Sequence, residues 1–169
     1  MSFLQQYSLA EYISIIAHNI ASGLWLTPVK AWKHLLSGDE LTYVAAKFDK
    51  WYSADLPDDN LTIVHGDFAF GNLTLLNGQE LGLIDFEHTH IGSGLTDLAH
   101  LYVNLQADGD EENAQTILNT YQEEAGRRKI DFDTSIFKAL VLERAAGKLN
   151  SMTDTAGEKA ARLKGLLLA

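Results

Sequence analysis

Apolar residues recur at helical spacing on both sides of a central stretch that breaks the rhythm. Ser8-Leu-Ala-Glu11 fits a capping box, and Leu9, Tyr12, Ile13, Ile16 and Ile20 follow on one face. Thr27-Pro28 sets an N-cap before a proline at the first helical position, with Trp32, Leu35 and Leu36 inward and Gly38 able to stop the helix. Leu41, Val44, Ala45, Phe48, Trp51 and Tyr52 continue the pattern in a third helix, and Pro57-Asp-Asp-Asn60 is a turn. Beyond the central stretch, one helix holds Leu95, Leu98, Ala99, Tyr102 and Leu105. A second carries Ile117 and Tyr121 and closes at Gly126. Asp133-Thr-Ser135 caps another, with Phe137, Leu140, Val141 and Ala145 inward, and Gly157 to Leu168 makes a last one. The pattern predicts a mostly helical protein.

The central stretch reads differently. Leu61-Thr-Ile-Val64 is rich in strand formers and ends in a polar turn, so it predicts a short strand delivering His65 and Asp67 into a loop. Leu73 to Leu76 and Leu81 to Ile84 flank Asn77-Gly78, a dipeptide suited to the positive φ of a tight hairpin. Such a hairpin would bring Asn72 near Asp85, and Asp67, Asn72 and Asp85 would then converge at one end of a small sheet. Gly92-Ser-Gly94 reads as a flexible bend before the next helix. The convergence has a chemical use. Mg²⁺ takes oxygen ligands and is commonly held by one or two carboxylates plus substrate phosphates. A separate carboxylate can accept the proton of an attacking hydroxyl.

The order Asp67, four residues, Asn72, and later Asp85-Phe86, resembles the catalytic half of the protein-kinase-like phosphotransferases. His65-Gly66-Asp67 and Ile84-Asp-Phe-Glu87, with Asp97-Leu-Ala99, are similar to the aminoglycoside phosphotransferase and choline kinase-like branch. The resemblance implies Asp67 as the base, Asn72 and Asp85 as Mg²⁺ ligands, and His65 and Asp97 as supports of the loop. Glu87 would join the metal shell or hold the loop. It further implies ATP as phosphoryl donor and a small-molecule hydroxyl as acceptor. The fold expected is α+β, mostly α: a kinase-like C-terminal lobe whose β-hairpin carries the metal motif, over residues 1–169 as a single domain. The nucleotide-binding N-terminal lobe is expected to be absent, since no Gly-x-Gly-x-x-Gly occurs. Val44-Ala-Ala-Lys47 imitates the kinase lysine strand in letters only; its neighbours keep helical spacing, which makes Lys47 a surface helix residue. An unroofed cleft exposes apolar surface, which favours a homo-oligomer or a separate N-lobe partner. The alternative is an inactive half-kinase serving as a binding or scaffold module.

Composition adjusts this picture at the edges. A net charge of −10 over 169 residues argues against nucleic acid and anionic membrane partners, and suits a cationic acceptor. Cysteine is absent, so thiolate chemistry and disulfides are excluded. Tyr12 to Leu26 lacks charge but is too short to span a bilayer, and no basic segment precedes it; a cytoplasmic protein is expected. His18 fits helix packing, and Arg127-Arg-Lys129 a solvated helix end. A rival reading remains: His65, Asp67, Asp85, Glu87, His88 and His90 as ligands of a metal-dependent hydrolase, with His88 and His90 alternating along an extended segment.

Overall fold

The computed structural model describes residues 35–52 and 61–169. The helix expected after Ser8, the start of the one at Thr27-Pro28 and the turn at Pro57 lie outside the described residues. Helix α1 (Gly38–Tyr52) begins at the glycine expected to end its predecessor. The reason is local: Ser37 and Glu40 form a capping box, Ser37 N–H donating to Glu40 Oε2 (2.7 Å) and Glu40 N–H to Ser37 Oγ (3.2 Å). The Glu40 carboxylate also meets Lys164 Nζ at 2.9 Å, and these contacts, led by the Ser37 N–H, hold its carboxyl below the usual range. Lys47 lies on this helix, not on a strand, its ammonium 4.6 Å from the Tyr43 ring centroid.

Two short antiparallel ribbons follow. β1 (Leu61–Val64) pairs with β4 (His90–Ser93), in register from Leu61↔Ser93 to Val64↔His90. β2 (Leu73–Leu76) pairs with β3 (Glu80–Leu83), from Leu73↔Leu83 to Leu76↔Glu80. The turn between β2 and β3 has Asn77 at φ 51° and Gly78 at φ 72°, the left-handed pair that Asn-Gly adopts most cheaply. Gly92 and Ser93, expected in a flexible bend, belong to β4 instead. Their partner β1 lies some thirty residues back, and a ladder of that span leaves no local pattern in the sequence.

The helices supply the core. α2 (Leu95–Asp108), α3 (Glu111–Arg128), α4 (Thr134–Ser151) and α5 (Glu158–Leu168) are the remaining helices of the described residues. Leu98, Ala99 and Val103 of α2 interlock with Phe137, Leu140, Ala145 and Leu149 of α4 and with Leu163 and Leu167 of α5. Leu36 and Val44 close this cluster from the α1 side. The α4 cap is the expected one, Asp133 Oδ1 accepting from Ser135 N–H (2.7 Å) and Ile136 N–H (3.0 Å). α3 runs past Gly126 to Arg128 and stops at Lys129 (φ 57°). Arg127 and Arg128 both reach back to Glu124, at 3.2 and 2.6 Å, on an exposed face. No helix among the described residues is long and apolar enough to cross a membrane.

Candidate active site

The end of β1 is pinned before any chemistry begins. Val64 is 1% exposed and His65 5%, so the strand carries its polar terminus inward. His65 uses both ring nitrogens: Nε2–H donates to the Ile84 carbonyl (2.9 Å), and Nδ1 accepts from Asp67 N–H (3.3 Å). A carbonyl can only accept and an amide N–H can only donate, so the ring is the Nε2–H tautomer. Its face lies 4.8 Å, centroid to centroid, from the Phe86 ring. His65 thereby ties the Asp67 loop to the segment that carries Asp85.

Asp97, in the first turn of α2, faces the same loop. Its Oδ2 accepts from His65 N–H (2.8 Å) and its Oδ1 from Gly66 N–H (3.0 Å). A carboxylate on two neighbouring backbone donors makes charge-assisted bonds, stronger than neutral ones. Gly66 sits at φ +84°, and a Cβ there would fall 2.3 Å from the His88 carbonyl oxygen; no other residue fits this turn. Asp97→Ala should lower the unfolding free energy by about 2–4 kcal/mol, because two part-buried donors lose an ionised acceptor. Asp97→Asn should recover less than half of that, since its amide N–H₂ would face one of the two donors. Urea unfolding of the chain measures both, and a loss below about 0.5 kcal/mol for Asp97→Ala would show the clamp to be dispensable.

Asn72 closes a short 3₁₀ turn (Phe70–Asn72) just before β2. Its Nδ2 donates to the Asp67 carbonyl (2.8 Å) and to Asp67 Oδ2 (3.2 Å), which fixes the amide orientation and leaves Oδ1 outward-directed from both bonds. The Asn72 carbonyl accepts from Ile84 N–H (3.0 Å), so the hairpin's pairing runs on to the residue beside Asp85. Asp85 stands in the left-handed region at φ 65°, ψ 63°, exposed, and its carboxylate makes no hydrogen bond or ion pair within the described residues. A non-glycine residue held there is strained, and aspartate tolerates it better than most. Glu87 is separate from this network; it reaches only His88 Nε2 (3.4 Å), both side chains being well exposed.

One participant was not foreseen from the sequence. Arg144 of α4 places a guanidinium N–H₂ 3.1 Å from Asp67 Oδ1. The only signal was a Glu143-Arg144 pair between apolar positions of the helix, and no spacing rule connects it to a loop 77 residues earlier. His100 of α2 lies in the same region, and burial, with Arg144 next in weight, pushes its imidazole down to about 3.

The hydrolase reading does not survive the geometry. His88 ends a 3₁₀ turn (Phe86–His88), so it does not alternate with His90 along one extended segment. Among the described residues, no three His, Asp or Glu side chains are grouped to hold a metal ion.

A family model described as the phosphotransferase enzyme family matches residues 23–132. The chain belongs to this family. Asp67, Asn72, Asp85 and Asp97 all fall inside the matched span, while α4 and α5 lie beyond it. Among solved structures, the chain is similar to an amicoumacin kinase, hAmiN, in complex with AMP-PNP, Ca²⁺ and Ami. The TM-score is 0.51 and the identity 16%, a likeness of fold. The alignment covers 78% of this chain and 44% of that one, so the chain spans less than half of the kinase it resembles. Comparison with curated proteins gives no match.

Proposed function

We propose that the chain is the catalytic lobe of a small-molecule phosphotransferase, with ATP as donor and a hydroxyl as acceptor. The observation that carries this reading is the double hold on Asp67. Asn72 bonds one carboxylate oxygen and Arg144 the other, while Asp97 and His65 fix the loop beneath. A base must meet its proton within hydrogen-bond reach and at a set angle, and a carboxylate held at both oxygens satisfies the second demand in advance. In this reading Asp67 accepts the proton of the acceptor hydroxyl as that oxygen attacks the terminal phosphorus. Asn72 Oδ1 and the Asp85 carboxylate would hold Mg²⁺. Both are hard oxygen donors without a hydrogen-bonding partner among the described residues, and the Ile84–Asn72 backbone bond brings the two stretches that carry them together. The ion, when bound, supplies charge neutralisation on the phosphate oxygens.

Nucleotide titration of the chain tests the metal assignment. ATP should bind with Mg²⁺ at least about tenfold more tightly than without it, and Asp85→Asn should remove the difference. Binding indifferent to both the ion and Asp85 would overturn the assignment.

A second reading concerns what completes the cleft. Ile63, Phe70, Leu75, Leu81 and Phe86, all on the ribbons and the turns beside them, are between 57% and 73% exposed. Apolar side chains concentrated on one segment favour a covering partner, and a separate N-terminal lobe or a second copy of the chain would serve. On this reading the chain alone transfers no phosphate and acts as a binding module until it is covered.

A further inference from the structure

The protein as a whole is strongly acidic, yet the groups around the Oδ1 side of Asp67 are cationic. Arg144 and Lys148 stand one turn apart on α4, a spacing that puts both on one face of the helix. Arg144 meets Asp67 Oδ1 with one nitrogen, while its Nε is buried and has no partner among the described residues. Lys148 is half-buried, and no described carboxylate lies within ion-pairing distance of its ammonium. Burial first, then the neighbouring Lys159 and Arg144 charges, hold that ammonium below the usual lysine range. Lys159 itself is paired with Asp108. His100 is also near; it stays uncharged at neutral pH, and its Nδ1 is buried without a described partner. Glu143 sits about 100° round the helix from Arg144, and burial pushes its carboxyl up to about 7, which weakens it as a counter-ion. After the Arg144–Asp67 pair is counted, Lys148 has no contacting counter-ion, Asp108 and Asp67 acting on it only from a distance, and two buried polar atoms lack a described partner. A half-buried ammonium without a contacting counter-ion is costly, and an anion brought from outside supplies one.

The two oxygens of Asp67 divide the site. Oδ2 faces Asn72 and the proposed metal, where the nucleotide phosphates would lie; Oδ1 faces Arg144 and α4. A cationic face on the Oδ1 side therefore belongs to the acceptor.

We propose that the acceptor carries an acid group, a carboxylate or a phosphate, a few bonds from its reacting hydroxyl, and that Arg144 and Lys148 hold that group. The proposal rests on the phosphotransferase reading and reverses the cationic acceptor suggested by net charge, because a binding site responds to its nearest charges more than to the sum over the surface. α4 lies outside the span matched by the family model, where acceptor choice is free to vary.

Four small probes test it by NMR titration of the full chain without nucleotide: glycolate, the monophosphate of ethylene glycol, ethylene glycol and ethanolamine. At least one acid should bind about tenfold more tightly than the neutral diol and the amine. Lys148→Met, which keeps the stem but not the charge, should abolish that preference, while Lys138→Met on the exposed part of α4 should keep it. Which acid binds more tightly then distinguishes phosphate from carboxylate. Equal or tighter binding of ethanolamine or the diol overturns the proposal, as does no saturable binding of either acid or an acid preference that survives Lys148→Met. Displacement of the acid by Mg²⁺ and AMP-PNP in direct competition would assign the cations to the nucleotide and also overturn it. The readout needs no turnover, so a chain that transfers no phosphate still gives an answer. Transfer to a neutral or cationic acceptor would sink the acid preference and leave the phosphotransferase reading intact.

Discussion

Asparagine in place of Asp67 should lower phosphoryl transfer by about 10²–10⁴-fold, the range that a positioned general base contributes. The substitution is chosen to isolate chemistry from structure. Asparagine can still accept one bond, from Asn72 Nδ2 or from Arg144, and the backbone carbonyl of residue 67 keeps its own bond to Asn72. Asp67 and Arg144 are 38% and 26% exposed, so solvent screens much of their attraction and its loss should cost the fold little. The expected signature is a collapse of kcat with thermal unfolding nearly unchanged. The kcat arm uses a preparation that transfers phosphate, the chain by itself or with an added N-terminal lobe, and the unfolding arm uses the chain by itself. Transfer within a few-fold of the parent rate would remove Asp67 from its role, whatever else the site does.

Alanine at Gly66 should be among the most damaging single changes in the described residues. At φ +84° an L side chain costs about 1–2 kcal/mol on backbone grounds alone. The added Cβ would also stand 2.3 Å from the His88 carbonyl oxygen, which is backbone and cannot swing aside. Relief requires moving the Phe86–His88 turn, and with it the Ile84–His65 bond and the Asp85 position. A total loss of about 3–5 kcal/mol follows, roughly 10 °C or more in Tm for a chain of this size. Gly78 provides the control. Its φ is +72°, but a Cβ there meets nothing within 4 Å, so Gly78→Ala should show the backbone cost only, near 1 kcal/mol. Equal losses for the two variants would mean that the His88 approach does not constrain the turn.

Much of this arrangement was readable from residue order. Asn77-Gly78 specified a left-handed turn, Asp133-Thr-Ser135 a cap, and the three- and four-residue recurrences from Leu95 onward a set of helices; each depends on neighbours within a few positions. The errors share a cause. Gly38 suits a helix stop, yet Ser37 and Glu40 make it part of a start, because glycine is favourable at several helix-end positions and only the bonds made distinguish them. Gly92 and Ser93 looked like a bend because a strand four residues long, paired with one far back, shows no period of its own.

Residue order by itself determined the family, the helical character and the hairpin with its Asn-Gly turn. These are carried by local spacing, which survives whatever the rest of the chain does. Only the tertiary structure decided that Arg144 meets Asp67, that His65 joins two loops through opposite edges of one ring, and that Asp97 holds the first of them. Those contacts cross 77, 19 and 32 positions of sequence, and at such separations packing of α2 against α4 sets which charges meet.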